Sequence, residues 1–281
     1  MAGTLYLVAT PIGNLEDMTY RAVRILSEVD LIAAEDTRNS IKLLNHFNIK
    51  TSMTSYHEYN KYDKAAELIG KLANGMNIAC ITDAGTPGIS DPGEELVRQC
   101  YEAGITVVPI PGACAAINGL IASGLPTRRF AFEAFLPSDK KERKLILEEL
   151  KLETRTMIIY EAPHRLTRTL RELADVFGAD RPITICRELT KKHETFFPTT
   201  FANAISHYDN EEPKGECIII VKGLTHQELA EQDAAKWKSM SILEHIQMYM
   251  TQGMDKKSAT KQVALDRNIP KREVYEIATQ I

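Results

Sequence analysis

The sequence predicts an α/β protein with two α/β domains and a small all-helical domain at its carboxyl end. Strand-like and helical segments alternate up to about residue 223, which is typical of a mostly parallel sheet covered by helices. The pattern changes after residue 114, and no strand-like segment follows residue 223. Because 281 residues suit about two domains of ordinary size, we expect α/β domains at 1–114 and 115–223 and helices at 224–281.

The first domain is predicted from short apolar segments that are rich in β-branched residues and bounded by turn residues. Strands are expected over residues 4–9, 31–35, 77–82 and 105–110. Helices are expected between them, near residues 19–29, 38–46, 65–73 and 93–103. The polar, tyrosine-rich segment 55–63 is interpreted as the approach to the third helix.

The second domain is predicted from segments of the same kind. Strands are expected over residues 130–137, 156–160, 182–189, 193–198 and 215–223, with helices near 140–152, 164–177 and 200–207. Two of these strands follow each other directly, which indicates some antiparallel pairing. The segment 109–126, which contains several glycines and prolines, is interpreted as turn-rich.

The composition indicates a globular protein. Hydrophobic residues make up 44% and charged residues 26% of the chain, close to the averages of globular domains. The apolar runs are strand-sized, far shorter than the ~20 residues of a membrane helix, and the amino terminus does not resemble a signal peptide. We therefore expect a cytoplasmic location. The five scattered cysteines are expected to be reduced thiols, and no metal site is expected.

The charge is unevenly distributed along the chain. The formal net charge of −4 argues against indiscriminate binding to nucleic acid. Residues 255–281, however, hold six basic and four acidic groups and are predicted to form a helix, a short turn and a second helix. We expect this segment to contact RNA through basic side chains, although such a unit serves equally for packing or dimerisation. These side chains are Lys256, Lys257, Lys261 and Arg272.

Residues 82–93, TDAGTPGISDPG, form a loop with more turn residues than a turn requires. Three glycines and two prolines fall between Gly85 and Gly93, whereas one reversal needs only one or two such residues. Glycines at the carboxyl end of a parallel strand allow a ligand to approach the backbone closely, and prolines stiffen the loop. We interpret this glycine-rich loop as a rigid ligand-binding loop, with a merely connecting loop as the alternative.

A dinucleotide-binding fold is a further alternative. The first strand is followed by TPIGN, and the acidic pair Glu35 and Asp36 follows at the end of the next strand, where a ribose-binding acid would lie. The G-x-G-x-x-G fingerprint and the Walker A motif are both absent from the sequence. The loop is therefore expected to recognise its ligand by shape and backbone contacts rather than by cradling phosphates.

Eight blocks, in order from residue 4 to about residue 223, resemble the family of ribosomal RNA small subunit methyltransferase I. They include LYLVATPIGN, AEDTRNS, SYHEYN, DAGTPGISDPG, YEAPHR, RELTKKHET and KGEC. The resemblance implies the tetrapyrrole methylase-like (class III methyltransferase) fold and a homodimer. It also implies transfer of a methyl group from S-adenosylmethionine to the ribose 2′-oxygen of a decoding-region cytidine in 16S rRNA. Tetrapyrrole-acting relatives have Gly-Asp-Pro and a following Tyr-Gly in the glycine-rich loop, whereas this chain has Asp83-Ala84-Gly85-Thr86-Pro87-Gly88, which disfavours a tetrapyrrole substrate.

The resemblance also implies a set of residues that contact the cofactor in the cleft between the two α/β domains. They lie after the first strand, in the glycine-rich loop, at a small-residue turn, and in the second domain. They are Pro11, Asp83, Ala84, Gly85, Gly88, Ile89, Ser90, Asp91, Ala113, Ala162 and Leu189.

Methyl transfer to a hydroxyl group requires an in-line arrangement of the reacting atoms, and a general base assists it. The candidate bases lie at strand ends, and we expect Glu161 first and Asp36 second. The candidate substrate contacts are Arg38, His57, Glu58, His164, Arg165 and Lys191. The alternatives for these groups are an ion pair at a helix start for Asp36, a salt-bridged strand end for Glu161, and ordinary surface charges for the others.

Two other functions remain open from the residues alone. A methyltransferase of the same superfamily that acts on a tetrapyrrole or another small molecule would not need the basic segment. A noncatalytic RNA-binding protein would use the cleft to sense a metabolite. Transfer of a labelled methyl group to small ribosomal subunits, to a porphyrin, or to neither distinguishes the three.

Overall fold

A computed structural model of the chain describes residues 1–237 and 240–279, and the remaining four positions, all in the predicted helical domain, lie outside the described residues. The first sheet is entirely parallel, with the strand order β3-β2-β4-β1-β5. Its strands are β1 (Thr4–Val8), β2 (Leu31–Ala34), β3 (Met53–Ser55), β4 (Ile78–Ile81) and β5 (Thr106–Ile110). Every residue of β2 and β4 is buried, as expected for inner strands covered on both faces.

Helices cover both faces of this sheet. They are α1 (Tyr20–Glu28), α2 (Thr37–His46), α3 (Lys61–Ala73) and α4 (Gly93–Glu102). One core packs α1 and α2 against the sheet through residues such as Leu26 and Leu44, and a second core packs α3 and α4 through Leu68 and Leu96. The three-layer arrangement leaves the carboxyl ends of the strands uncovered, where open α/β sheets bind ligands.

The second sheet is mixed, with the strand order β6-β7-β10-β8-β9. Its strands are β6 (Phe130–Phe135), β7 (Thr156–Glu161), β8 (Pro182–Arg187), β9 (Thr195–Thr200) and β10 (Cys217–Val221). The β6 and β7 strands are parallel, and the other pairs are antiparallel. The antiparallel pair β8 and β9 confirms the pairing predicted from their adjacency.

One helix lies on one face of the second sheet and three lie on the other. The helices are α5 (Ala115–Ala122), α6 (Lys140–Leu150), α7 (Pro163–Phe177) and α8 (Phe201–Tyr208). Residues of α6, α7 and α8 share a core with Ile159 and Ile219. Residues of α5 share a core on the opposite face with Ile158 and Ile218. The α5 face therefore looks toward the first sheet, because Ile12 from the loop after β1 also joins its core.

The structure adds two elements that the sequence did not predict. The strand β3 has only three residues, two of them polar, at the sheet edge beside β2, so it lacks an apolar run. The helix α5 was interpreted as part of a turn-rich segment, because glycines and prolines surround it and its own sequence lacks a polar face. Gly119 within α5 packs directly against Ile218 and Cys186 of the second sheet.

The described part of the carboxyl region is helical, as predicted. Its helices are α9 (His226–Lys236), α10 (Ile242–Thr251), α11 (Lys256–Asp266) and α12 (Lys271–Ala278). The last three share a small core of their own that includes Ile246, Val263 and Val274. Pro270 directly precedes the first residue of α12. None of the helices in the described part of the chain is long and apolar enough to cross a membrane.

A buried histidine holds this helical cluster together. His245 is fully buried and stacks on Trp237, with ring centroids 3.7 Å apart. Its Nδ1 accepts a hydrogen bond from Arg267 Nε at 3.2 Å. Its Nε2 lies 3.4 Å from Asp266 Oδ2 without a hydrogen bond between them, and the Tyr249 hydroxyl donates to that oxygen at 2.6 Å. Burial lowers the pKa of His245, Arg267 lowers it further, and Asp266 opposes the shift. Protonation of Nδ1 would also break the hydrogen bond from Arg267.

We expect the helical cluster to lose stability as the pH falls below about 6.5, the ordinary histidine pKa. The folded-state pKa lies below the unfolded value, so the unfolded chain takes up the proton first. The stabilisation is complete above the unfolded pKa and is lost as the pH falls toward the folded one. Trp237 is the only tryptophan in the sequence, so the urea midpoint of its fluorescence at several pH values measures this effect. His245→Gln should flatten the dependence, whereas replacing the exposed His46 should not; an unchanged slope in His245→Gln contradicts the assignment.

Candidate functional site

Three loops meet at the carboxyl edge of the first sheet, and hydrogen bonds join them. Thr10, just after β1, exchanges two backbone hydrogen bonds with Gly85, at 2.8 and 3.1 Å. Thr86 Oγ1 donates to the carbonyl oxygen of Ala113, after β5, at 3.0 Å. The structure thus brings together Pro11, the glycine-rich loop and Ala113, which lie far apart in the sequence.

A carboxylate inside the glycine-rich loop fixes its shape. Asp91 Oδ1 accepts hydrogen bonds from the amides of Gly88 and Gly93, at 2.9 and 2.7 Å. A Cβ atom on Gly93 would lie 2.7 Å from that oxygen, so the turn requires glycine there. Gly88 and Ser90 have φ angles of 87° and 59°, and a positive φ strains a serine. Burial raises the pKa of Asp91, and the two amides partly offset this.

Two more carboxylates lie at this edge, one just after β2 and one in the loop itself. Glu35 Oε2 accepts hydrogen bonds from Thr82 Oγ1 at 2.5 Å and from the amide of Asp83 at 3.3 Å. Partial desolvation of the carboxyl group, and then the charge of Glu35, raise the pKa of Asp83, although the residue as a whole is exposed. This concentration of negative charge at a strand edge favours a cationic ligand. The exposed residues of the loop, Asp83, Ala84, Ile89 and Ser90, form its open surface.

Asp36 acts here as a helix cap. Its carboxylate accepts hydrogen bonds from the amide of Arg38 at 2.8 Å and from the Arg38 guanidinium at 2.7 Å, at the start of α2. The Arg38 side chain holds the pKa of Asp36 at about 2. This is the ion-pair alternative that the sequence left open. A carboxylate with so low a pKa accepts a proton poorly, which weakens the case for Asp36 as a general base.

His57 and Glu58 follow β3 at the same edge. Glu58 forms an ion pair with Lys61 at 2.5 Å. His57 Nδ1 is buried and has no hydrogen-bond partner among the described residues, and its ring lies 6.1 Å from that of Tyr59. An unpartnered ring nitrogen beside a candidate site is consistent with a role in binding substrate.

The register of the second sheet decides which side chains of β7 face the cleft. Tyr160 lies beside Ile218 of β10 and shares the α5 core, on the face toward the first sheet. Glu161 lies beside Cys217, which belongs to the core on the other face. Neighbouring residues of a strand point to opposite faces, so Glu161 points toward α7. Burial raises the pKa of Tyr160 to about 12, so it stays protonated at neutral pH.

Glu161 is fully engaged within the protein. Its side chain is 1% exposed. Oε1 accepts hydrogen bonds from the amide of Ala162 and from Arg165 Nε, both at 2.8 Å, and Oε2 accepts one from Thr169 Oγ1 at 2.6 Å. The predicted role as general base requires reach to a substrate, which this geometry does not provide. The structure instead favours Glu161 as the residue that positions Arg165 at the start of α7.

We expect Glu161→Gln to lower the free energy of unfolding by about 2–4 kcal/mol, because it weakens a buried hydrogen-bonded ion pair. Methyl transfer by the folded variant should fall by less than about tenfold. Loss of a general base would instead lower the rate by about 10²–10⁴-fold with little change in stability. Denaturant unfolding and single-turnover kinetics measure the two effects. Glu148→Gln, in an exposed ion pair with Lys151, is the matched control.

Lys191 joins the second sheet to the loop after β1. Its methylene chain lies against Gly13, where an added Cβ would come within 2.4 Å of Lys191 Cγ. Its ammonium group forms ion pairs with Glu188 at 3.1 Å and Glu216 at 3.2 Å. Leu189 lies in the turn between Glu188 and Thr190, which have φ angles of 53° and 66°, and strained backbone of this kind clusters at functional sites. This turn therefore lies where the loop after β1 meets the second sheet.

The other predicted contacts lie around this cleft or in the carboxyl region. His164 is exposed in the first turn of α7, two residues after Ala162, whereas Arg165 is half-buried and paired with Glu161. In the carboxyl region the predicted basic side chains are all exposed, and Arg272 is paired with Glu276 at 3.0 Å. The four are Lys256, Lys257, Lys261 and Arg272.

Sequence reasoning missed an aromatic group on the cleft face of the second sheet. Phe132 and Phe135 lie edge-on to Tyr160, with ring centroids 5.1 and 5.6 Å away. A signal was present, because the phenylalanine spacing in FAFEAF changes from two residues to three, which breaks the alternation of a regular strand.

Comparison with known proteins agrees with this architecture. The family model of tetrapyrrole (corrin/porphyrin) methylases matches residues 4–205. The fold resembles solved structures of a uroporphyrin-III-C-methyltransferase from Thermus thermophilus and of a diphthine synthase. The first has a TM-score of 0.55 and 20% identity and covers 78% of this chain and 94% of that one. The second has a TM-score of 0.60 and 13% identity and covers 82% and 94%. The predicted fold is confirmed, and it defines a methyltransferase of the tetrapyrrole methylase class.

Relatives with much higher sequence identity show to which family within this class the chain belongs. The chain is 51% identical to ribosomal RNA small subunit methyltransferase I of Halalkalibacterium halodurans, covering 99% of this chain and 95% of the relative. It is 47% identical to the protein of that name from Synechocystis sp., covering 99% and 98%, and 47% identical to that from Bacillus subtilis, covering 98% and 93%. The chain belongs to the family of ribosomal RNA small subunit methyltransferase I.

Proposed function

We propose that the protein is an S-adenosylmethionine-dependent enzyme that methylates the ribose 2′-oxygen of a decoding-region cytidine in 16S rRNA. Its relatives are named for a methyltransferase of small subunit ribosomal RNA. The observation that carries the proposal is the set of three hydrogen-bonded loops at the carboxyl edge of the first sheet, beside the carboxylates of Glu35, Asp83 and Asp91.

The residues present suit this cofactor. When bound, S-adenosylmethionine supplies a methyl group activated by a positively charged sulfur. The carboxylates at the edge offset the desolvation of such a cation, and the glycines of the loop allow a ligand to approach its backbone closely. We propose that the cofactor is held by the residues implied by the resemblance: Pro11, the residues between Asp83 and Asp91, Ala113, Ala162 and Leu189.

Positioning is proposed to supply most of the catalysis. Asp91 and the hydrogen bonds of Thr10 and Thr86 fix the loops before any ligand binds. The loops therefore lose little conformational freedom when the reactants are brought into the reactive arrangement. Asp83 is exposed and has a raised pKa, so among the carboxylates at this edge it accepts a proton more readily than Asp36. Catalytic roles for Asp36 and Glu161 stay predictions, and their geometry supports positioning of Arg38 and Arg165.

Substrate RNA is proposed to lie across the cleft and reach the carboxyl region. His57 offers an unpartnered ring nitrogen on one side, and His164 and Lys191 lie on the other side, with Arg38 and Glu58 flanking the first sheet's edge. The basic side chains of α11 and α12 would add phosphate contacts. We further propose that the protein is cytoplasmic and forms a homodimer. Analytical ultracentrifugation tests the dimer directly.

Transfer of labelled methyl groups tests the proposed function. Purified protein should bind S-adenosylmethionine in calorimetry and label small subunits from a strain that lacks this protein. The label should map to one cytidine whose 3′ linkage resists alkaline hydrolysis, as a 2′-O-methyl group requires. Labelling of a porphyrin instead, or cofactor binding without transfer to any RNA, would contradict the proposal.

A further inference from the structure

A bulge in β6 places a phenylalanine in the cleft. Phe132 pairs with Ile158 and Phe135 with Tyr160, so three residues of β6 span two of β7. The register shifts between Phe132 and Ala134, and Ala134 has a φ of 50°, a strained value for alanine. Without the extra residue, Phe135 would point to the opposite face. Bulges of this kind redirect side chains near functional sites.

The redirected side chain is held but not covered. Phe135 is 54% exposed although it packs edge-on against Tyr160, with ring centroids 5.6 Å apart. Leu136, the next residue, is buried in the core on the other face, which anchors the backbone directly after the ring. A strained backbone therefore presents an aromatic ring, about half of it exposed, to the cleft.

The same edge of the second sheet carries exposed lysines. The strands β6, β7 and β8 all end there, because β10 is antiparallel to both β7 and β8. The residues that follow β6 and β8 include Lys140, Lys141 and Lys192, all exposed and without an ion pair within the part of the chain that the structure describes. Three strand spacings, roughly 14 Å, separate the ends of β6 and β8.

An exposed aromatic ring among exposed lysines is a combination that binds single-stranded nucleic acid. Bases stack on the ring while lysines contact phosphates, and stacking tolerates any base. The surface fits a polyanion better than a second copy of this chain, whose net charge is −4. We propose that Phe135 stacks on an unpaired nucleobase of the RNA, next to the nucleotide being methylated, while Lys140, Lys141 and Lys192 contact its backbone. This inference rests on the proposed function and adds the stacking residue.

Photo-crosslinking and affinity measurements test this assignment. The full-length protein is mixed with a single-stranded oligoribonucleotide of about eight nucleotides, within the usual site sizes, carrying 5-iodocytidine. Irradiation should crosslink the peptide that contains Phe135. Phe135→Ala should weaken binding of the unmodified oligonucleotide by about tenfold or more, Phe135→Leu should do the same, and Phe135→Trp should retain affinity. Phe130→Ala is the matched control, since Phe130 is 39% exposed on the same face at the other end of β6.

The outcomes separate this inference from the proposed function. One set of results would overturn the stacking role alone. In it the wild type methylates small subunits, Phe135→Ala and Phe135→Leu have RNA affinities within twofold of the wild-type affinity, and no crosslink forms at Phe135. A change in sedimentation of Phe135→Ala would assign the ring to a subunit contact and also overturn it. A wild type that binds no cofactor and transfers no methyl group overturns both. Thermal unfolding of each variant confirms that the protein is folded.

Discussion

Asp91→Ala is expected to lower the affinity for S-adenosylmethionine by about 10²-fold. The substitution leaves the amides of Gly88 and Gly93 without their acceptor, and each unsatisfied donor costs about 1–3 kcal/mol. The loop can escape this penalty only by leaving the conformation that the structure shows, so the ligand must then reorder it on binding. Two such losses of about 1.4 kcal/mol each correspond to a hundredfold change in Kd.

Asp91→Asn provides the internal comparison, because its side-chain oxygen can still accept from both amides. Its affinity should fall by less than about tenfold, as expected for neutral rather than charge-assisted hydrogen bonds. The matched control is Asp139→Ala, since Asp139 also accepts from two amides, those of Lys141 and Glu142, each at 3.0 Å. That variant should lose about 1 kcal/mol of stability and keep its affinity. Calorimetry decides: equal affinities for Asp91→Ala and the wild type would show that Asp91 does not organise the binding loop.

The sequence predicted the alternation of elements well because buried strands and amphipathic helices leave strong patterns. The strands β2 and β4 are buried throughout and read as continuous apolar runs. The three-residue edge strand β3 has no such run, and its pairing with β2 is set by tertiary packing. The helix α5 was missed because glycines and prolines surround it and because its sequence lacks the polar face of an amphipathic helix.

The candidate site was predictable as a location but not as a set of side-chain roles. The density of glycine and proline in residues 82–93 marked the loop that the structure joins to Thr10 and Ala113. The role of Glu161 depends on strand register. In the observed register Tyr160 faces the cleft and Glu161 the opposite side, and a shift by one residue would exchange the two faces. No local pattern fixes that register. The three-domain division at residues 114 and 223 stays a prediction.

The largest expected effect on RNA binding comes from the basic face of α11. Lys256, Lys257 and Lys261 are exposed, and none of them forms an ion pair with a described residue. Each lysine that contacts a phosphate contributes about 0.7 to the slope of log K against log salt for single-stranded RNA. Replacing all three with glutamine should therefore lower that slope by about 2 and weaken RNA binding by about 10- to 100-fold at moderate salt. Cofactor affinity should stay unchanged, because these residues lie outside the hydrogen-bonded loops.

A triple substitution of Lys50, Lys151 and Lys222 with glutamine controls for the change in net charge. These lysines lie beside the sheet edges opposite the cleft, just before β3, before β7 and after β10. If nonspecific charge alone governs binding, the two triple variants lose affinity equally, because each removes three positive charges. If α11 contacts RNA, only its variant changes the salt slope. An equal loss in both variants would assign the carboxyl helices a packing role, since a small cluster with its own core needs no RNA to explain it.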